Sequence, residues 1–221
     1  MRRLRHELGL APAARAFFLF GSPIAKSASP AMHNAAFRAL GLAPGWDYGR
    51  LETTDPAVAI AAMRAAGFGG GSVTMPLKEA LLAAVDALSP AARRIGAINT
   101  VTARAAAGGG AAVLVGDNTD WIAIHRLVED RLAVRRLRAG GGQRALLVGA
   151  GGTARAAMYA LGRVAGLEGP VLVYNRTAER ARALAAEFGG EAVTDLAAVG
   201  PVGVVVRVCA RARVRLPPHA P

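Results

Sequence analysis

An α/β fold with a mostly parallel sheet is predicted by three features of this 221-residue chain. Strand-like apolar runs alternate with helix-like Ala/Leu/Arg segments, the pattern left by parallel strands joined through crossover helices. Gly and Pro fall at the joints between these segments, where turns and helix ends need them. The run Gly140-Gly141-Gly142 follows an Arg-rich stretch and precedes a new strand. It places a boundary near residues 139–143 and divides the chain into two α/β portions.

The first portion opens with a strand at Phe17–Phe20 and a Gly/Ser/Pro loop. A helix follows at Pro30–Leu40, stopped by Gly41, then a short strand at Tyr48–Leu51. Pro56–Ala66 reads as a helix, with Pro56 in the first turn and Gly67 ending it. Ser72–Thr74 is a strand end and Lys78–Leu88 a helix. Ile98–Ala103 and Val113–Val115 are strands joined across the loop Gly108–Gly110, and Asp120–Arg131 is a helix. In the second portion, Ala145–Val148 is a strand, Thr153–Val164 a helix, Val171–Tyr174 a strand and Ala178–Phe188 a helix. Val202–Val208 supplies a third strand, completing one βαβαβ half of a Rossmann domain. No repeat of solenoid period is visible.

Composition narrows the function classes. Apolar residues make up 53% and charged residues 19%, enough to build a core and too few charges for disorder. The longest apolar runs are broken well short of the roughly 20 residues that span a bilayer. Met1–Arg15 is basic and lacks an apolar h-region, so no secretory signal is expected. The single cysteine, Cys209, rules out a disulfide within the chain and argues against a Cys-based zinc site; a reducing cytoplasm suits it, and no metal is expected. The net charge of +12 invites a nucleic-acid partner. Its distribution opposes one: residues 1–15 carry +3, residues 207–221 carry +4, and the rest is scattered. Basic residues interleaved with stacking aromatics are absent.

Leu146-Leu147-Val148-Gly149-Ala150-Gly151-Gly152-Thr153 is a glycine-rich turn between a strand and a helix. Such a turn lets the backbone approach a pyrophosphate, which then meets the unpaired N–H groups and positive dipole end of the helix. Alone it is weak, since a Gly-rich chain also uses glycines for plain turns. The next strand runs into Asn175-Arg176-Thr177. Domains that bind NAD place an acidic residue near this point for the ribose 2′-OH; Arg176 stands here instead, with Arg180 one helical turn on. An arginine pairs with a 2′-phosphate, so the charge favours NADP. The alternative is a pair of solvated surface arginines.

Four polar motifs interrupt the first portion. Gly21-Ser22-Pro23-Ile24-Ala25-Lys26-Ser27-Ala28-Ser29-Pro30 sets two hydroxyls before a helix, with Ser29 as a candidate N-cap and Ser27 placed to face an anion, or simply to cap. Ser72-Val73-Thr74-Met75-Pro76-Leu77-Lys78 puts a lysine at a helix start. Only two lysines occur beside 25 arginines, and only a lysine can trade its proton at accessible pH. The argument applies to Lys26 as well. Ile95-Gly96-Ala97-Ile98-Asn99-Thr100 carries an amide beside a strand, and Gly116-Asp117-Asn118-Thr119-Asp120-Trp121 starts a helix with a carboxylate.

In this order the motifs Ser-x-Ser-Pro, Val-Thr-x-Pro-x-Lys, Gly-Ala-x-Asn-Thr, Gly-Asp-Asn-Thr-Asp, Gly-Ala-Gly-Gly and Asn-Arg-Thr resemble the shikimate/quinate dehydrogenase family over roughly residues 17–190. The wording Leu19-Phe20-Gly21-Ser22-Pro23-Ile24 is most similar to the shikimate dehydrogenase domain of fungal multidomain aromatic-pathway proteins or their quinate-repressor relatives. The resemblance implies reversible NADPH-dependent reduction of 3-dehydroshikimate to shikimate. It implies Lys78 and Asp120 as the catalytic pair. Ser27 and Ser29 would bind the substrate carboxylate, and Thr74, Asn99 and Asp120 the ring hydroxyls. Gly149, Ala150, Gly151, Gly152, Thr153, Asn175, Arg176, Thr177 and Arg180 would hold NADP. Ser72 stands where many relatives carry Asn.

The domains then expected are a basic N-terminal extension at 1–15, a substrate-binding and catalytic domain at 16–138, a partial Rossmann NADP-binding domain at 139–206 and an aberrant Arg/Pro-rich tail at 207–221. After about Val206 the family pattern fails, and the chain reads as cut short. An exposed strand edge, poor stability and weak or absent activity are expected from that. Rival readings are a quinate dehydrogenase, a catalytically silent regulator that binds a pathway metabolite, and a basic nucleic-acid module.

Overall fold

In the computed structural model, which describes residues 14–106, 111–139 and 143–208, the chain divides between Asn118 and Thr119 into two units. The sequence reading set the joint about twenty residues later. The helix between the two positions carries its apolar residues into the second unit: Val128 and Leu132 pack with Ala145, Leu161 and Val164.

The first unit is a mixed six-stranded sheet with helices. Its strands are β1 (Arg15–Gly21), β2 (Trp46–Glu52), β3 (Phe68–Val73), β4 (Ala87–Leu88), β5 (Thr100–Arg104) and β6 (Val113–Asp117), in the order β2-β1-β3-β5-β6-β4. Parallel pairings join β1 to β2, β1 to β3 and β4 to β6. β5 runs antiparallel to both neighbours. The loop Gly108–Gly110 lies outside the described residues.

The helices are α1 (Ser29–Ala39), α2 (Pro56–Arg64), α3 (Leu77–Ala80) and α4 (Pro90–Ile95). Two have the caps that sequence chemistry demands. Asp55 accepts from the Ala57 N–H before α2, and Ser89 accepts from the Ala92 N–H before α4. Gly96 closes α4 at φ 69°, a left-handed position glycine takes without strain.

Two expectations are corrected, and a third is filled out. Helix Lys78–Leu88 is not continuous. α3 gives way to a 3₁₀ turn at Leu82–Ala84 and then to β4. The Asp86 N–H reaches the Leu114 carbonyl at 2.9 Å and the Ser89 N–H the Gly116 carbonyl at 2.9 Å, so sheet pairing overrides the helical propensity of Ala and Leu. The strand end read at Ser72–Thr74 is the end of β3, which runs from Phe68 to Val73. Its glycines are wanted there: a Cβ on Gly69 would meet the Phe17 ring at 2.5 Å. Ser29 is not the N-cap of α1. That position is Ala28, whose backbone is helical, and Ser29 is the first helical residue.

Phe20, Met63, Phe68, Leu77, Leu81, Ile98 and Leu114 form the main core of this unit. Outside it, Arg64 grips Asp86 with two hydrogen bonds of 2.8 Å, and the Leu114 N–H adds a third at 2.7 Å. The Arg64 hydrogen bonds, then the Leu114 N–H, hold the Asp86 carboxyl down at about 2. A carboxyl lowered in the folded state stabilises it above about pH 4 and loses that contribution as pH falls towards 2. Solvent screening keeps the effect small. Asp86→Asn is expected to flatten the pH dependence of the melting temperature across that window, measured against the parent chain.

The second unit is a four-stranded parallel sheet. It comprises α5 (Asp120–Ala139), β7 (Ala145–Val148), α6 (Gly152–Leu161), β8 (Leu172–Tyr174), α7 (Ala178–Phe188), β9 (Glu191–Val193) and β10 (Val204–Arg207). The order is β10-β7-β8-β9. The third strand of the half-domain is therefore β9, three residues beginning with Glu191, too short and polar to register as an apolar run. β10 is a fourth strand, laid on the other side of β7. β10 and β9 are the terminal strands of this sheet among the described residues. The tail from Cys209 onward and residues 1–13 lie outside the described residues. Among those described, no helix is long and apolar enough to cross a membrane.

Candidate functional site

The carboxyl ends of β1 and β3 in the first unit are knotted together. The Thr74 N–H reaches the Phe20 carbonyl at 2.8 Å and the Ser22 N–H reaches the Met75 carbonyl at 2.9 Å. Gly21 permits this approach: its φ is 138°, and a Cβ there would lie 2.5 Å from Thr74 Cγ2 and 2.7 Å from the Met75 carbonyl oxygen.

Lys78 sits in the first turn of α3, directly after this knot. Its carbonyl accepts the Ile98 N–H at 2.8 Å, which ties α3 to the segment carrying Asn99. Asn99 is itself a junction. Its carbonyl accepts the Val73 N–H at 2.8 Å, its N–H donates to the Asp117 carbonyl at 2.9 Å, and its Oδ1 accepts from Thr100 Oγ1 at 2.8 Å. Thr74, Lys78 and Asn99 are thus brought together at one end of the sheet.

Ser27 and Ser29 form a small elbow at the start of α1. Ser27 Oγ accepts the Ser29 N–H at 3.3 Å and donates to Ser29 Oγ at 3.2 Å. The Ser27 hydroxyl is the one that meets the helix N-terminus, the reverse of the sequence assignment. Arg50 Nη2 donates to the Ser27 carbonyl at 2.6 Å from the neighbouring strand β2.

Sequence reasoning missed a supporting group. Asn118 is fully buried, and its Nδ2 donates to the Ala97 carbonyl at 3.0 Å. Beside it, the Asp117 carboxylate accepts from Ser89 Oγ at 2.5 Å and from the Asn118 N–H at 2.7 Å. The Gly-Asp-Asn-Thr-Asp motif therefore spends its first two polar side chains on fixing the turn next to Asn99. Its unusual polarity was the available signal; burial was not. Asn118→Ala strands a buried carbonyl and is expected to cost roughly 1–3 kcal/mol, read as a lower urea midpoint.

Asp120 opens α5 in the second unit. Ile124 packs against the cluster that holds Leu147 and Ala154, and Leu132 against the one that holds Ala145 and Leu161. Ile124 also joins the Ala145–Leu161 cluster, and Trp121 meets the Tyr159 ring at 5.2 Å, so α5 packs along the helix that follows the glycine turn. That turn has Gly149 at φ 129° with its N–H on the Tyr174 carbonyl at 2.8 Å. Gly151 precedes the helix as its N-cap, and a Cβ there would meet nothing within 4 Å. Open space thus lies beside the first N–H groups of a ten-residue helix, with Thr153 in its first turn. Asn175, Arg176 and Thr177 follow β8; Asn175 Nδ2 donates to the Thr177 carbonyl at 3.0 Å. Arg176 and Arg180 are exposed, and neither engages a carboxylate among the described residues. The sheet order reverses at β7, the point where open α/β sheets take a ligand at the strands' carboxyl ends. An anion-seeking turn, an open approach and two uncommitted guanidinium groups fit a phosphorylated dinucleotide.

Comparison with known proteins bears on both units. A family described as shikimate dehydrogenase substrate binding domain matches residues 19–101, and one described as shikimate/quinate 5-dehydrogenase matches residues 131–201. The pentafunctional AROM polypeptide of Malassezia globosa is 45% identical over 184 residues, 82% of this chain and 11% of the relative. That of Mycosarcoma maydis is 46% identical over 179 residues, 80% of this chain and 10% of the relative. The chain therefore spans about a tenth of these curated relatives. Among solved structures, shikimate 5-dehydrogenase of Thermus thermophilus, in complex with NADP(H) and shikimate, superposes with a TM-score of 0.65 at 39% identity, covering 88% of this chain and 68% of that one.

Proposed function

The chain belongs to the shikimate/quinate dehydrogenase family, and from that premise we propose that it catalyses the reversible NADPH-dependent reduction of 3-dehydroshikimate to shikimate. The observation that carries this reading is the meeting of Thr74, Lys78 and Asn99 at one end of the first sheet. An amine is set there among groups suited to ring hydroxyls.

Ser27 and Ser29 hold the ring carboxylate, and Thr74, Asn99 and Asp120 orient the hydroxyls. In the oxidative direction Lys78 takes the proton of the reacting hydroxyl; in the reductive direction it returns a proton to the new alkoxide oxygen. Asp120 is the partner of Lys78 in that exchange and orients the same hydroxyl. NADP, when bound, supplies the hydride chemistry. The turn of Gly149, Ala150, Gly151, Gly152 and Thr153 receives its pyrophosphate at the helix N-terminus. Asn175, Arg176, Thr177 and Arg180 receive the 2′-phosphate. Retention of both Lys78 and Asp120 favours an enzyme over a silent metabolite-binding regulator. The same reading places the chain in the cytoplasm and makes it a counterpart of one domain of the multidomain pathway protein.

The test is nicotinamide absorbance with shikimate and then quinate, each with NADP and NAD. Shikimate with NADP is expected to turn over fastest. Arg176→Ala is expected to raise the KM for NADP roughly tenfold or more while leaving that for NAD little changed. Equal use of both cofactors by the parent chain contradicts the 2′-phosphate assignment, and faster turnover of quinate contradicts the substrate.

A further inference from the structure

Tyr48, Arg50 and Glu52 alternate along β2 and so share one of its faces. All three hold the segment that carries the Ser27–Ser29 elbow. His33 of α1 stacks on the Tyr48 ring at 4.2 Å between centroids. The Glu52 carboxylate accepts from Ser22 Oγ at 3.2 Å and from the Ile24 N–H at 3.3 Å. Between these two anchors, Arg50 Nη2 donates to the Ser27 carbonyl at 2.6 Å.

That contact fixes the Arg50 guanidinium at the elbow and uses one of its N–H donors. The remaining donors meet no partner among the described residues, and no carboxylate there pairs with them. The side chain is exposed, so a ligand at the elbow can reach it. The Ser27 and Ser29 hydroxyls are neutral and can hydrogen-bond to a carboxylate or to an ester carbonyl alike. Choosing the anion requires a positive charge, and an arginine keeps its own at any accessible pH. Lys26 precedes Ser27 and is also exposed, but no contact among the described residues fixes its amine.

We propose that Arg50 is a specificity-determining residue, whose guanidinium sets a permanent positive charge at the Ser27–Ser29 elbow and selects an anionic ring acid over its uncharged ester. This rests on the function proposed above. A charge-assisted contact that stays partly hydrated is worth roughly three- to tenfold in affinity.

The test is calorimetric titration of shikimate and of its methyl ester into the full chain, parent, Arg50→Ala, Arg50→Lys and Lys26→Ala, with melting of each in the absence of ligand. Arg50→Ala is expected to bind shikimate roughly three- to tenfold more weakly, to bind the ester as the parent does, and to melt close to the parent. Arg50→Lys keeps the charge and is expected to restore most of the preference for the acid. Lys26→Ala is expected to keep that preference whole. Unchanged affinity of Arg50→Ala for shikimate overturns the inference. Equal loss of acid and ester also overturns it, because Arg50 would then only hold the fold, and so does a preference that vanishes with Lys26 instead. Failure of the parent chain to bind shikimate overturns the proposed substrate and this inference together.

Discussion

Lys78→Ala is expected to lower kcat for shikimate oxidation by roughly 10²- to 10⁴-fold, the span that a positioned proton-transfer group contributes, while shikimate binding changes little. The reasoning starts in the backbone. Lys78 occupies the first turn of α3, and its carbonyl is tied to the Ile98 N–H. The main chain that carries the amine is therefore fixed relative to Asn99 by contacts the substitution leaves intact. What disappears is an amine able to accept and return a proton. Lys78→Arg is expected to fail as a rescue, because a guanidinium keeps its proton. Nicotinamide absorbance reads the rate, and calorimetric titration reads the binding. Near-parental turnover by Lys78→Ala would remove the amine from the chemistry.

Gly21→Ala is expected to destabilise the chain by roughly 2–5 kcal/mol, from a side chain at an unfavourable backbone angle together with overpacking. The Gly21 φ is 138°, and the added methyl would press on Thr74 Cγ2 at 2.5 Å and on the Met75 carbonyl at 2.7 Å. The carbonyl is the harder obstacle, since it belongs to the backbone that accepts the Ser22 N–H. Relief requires the Thr74–Pro76 segment to move away from β1, which also shifts the approach to α3. The same variant is therefore expected to lose kcat/KM beyond its loss of stability. A lower urea midpoint with unchanged slope checks the first part, and kinetics at a temperature where the variant is folded check the second.

Much of this was legible from local chemistry. Helix α7 follows its sequence pattern from Ala178 to Phe188, and α2 begins at Pro56 behind an Asp55 cap. The glycine turn declared itself because Gly149 and Gly151 sit between a buried apolar strand and a helix. Features set by distant partners were not legible. β4 is two residues long and is a strand only because β6 pairs with it. Asn118 looked like one more polar residue of a loop, while its burial depends on the Ala97 carbonyl 21 positions earlier. The placement of Ser27 and Ser29 was half legible: two hydroxyls before a helix were evident, and which of them meets the N-terminal N–H was decided by Ala28 taking the cap.

The central claim is that Lys78 and Asp120 act as one proton-handling pair on one ring hydroxyl. A double-mutant cycle in kcat/KM for shikimate oxidation tests it most directly, using Lys78→Ala, Asp120→Ala and the combination. Groups that work as a unit lose their value together, so the double variant is predicted to be no worse than the more damaged single variant. Losses that add in free energy across the two substitutions would contradict the pair.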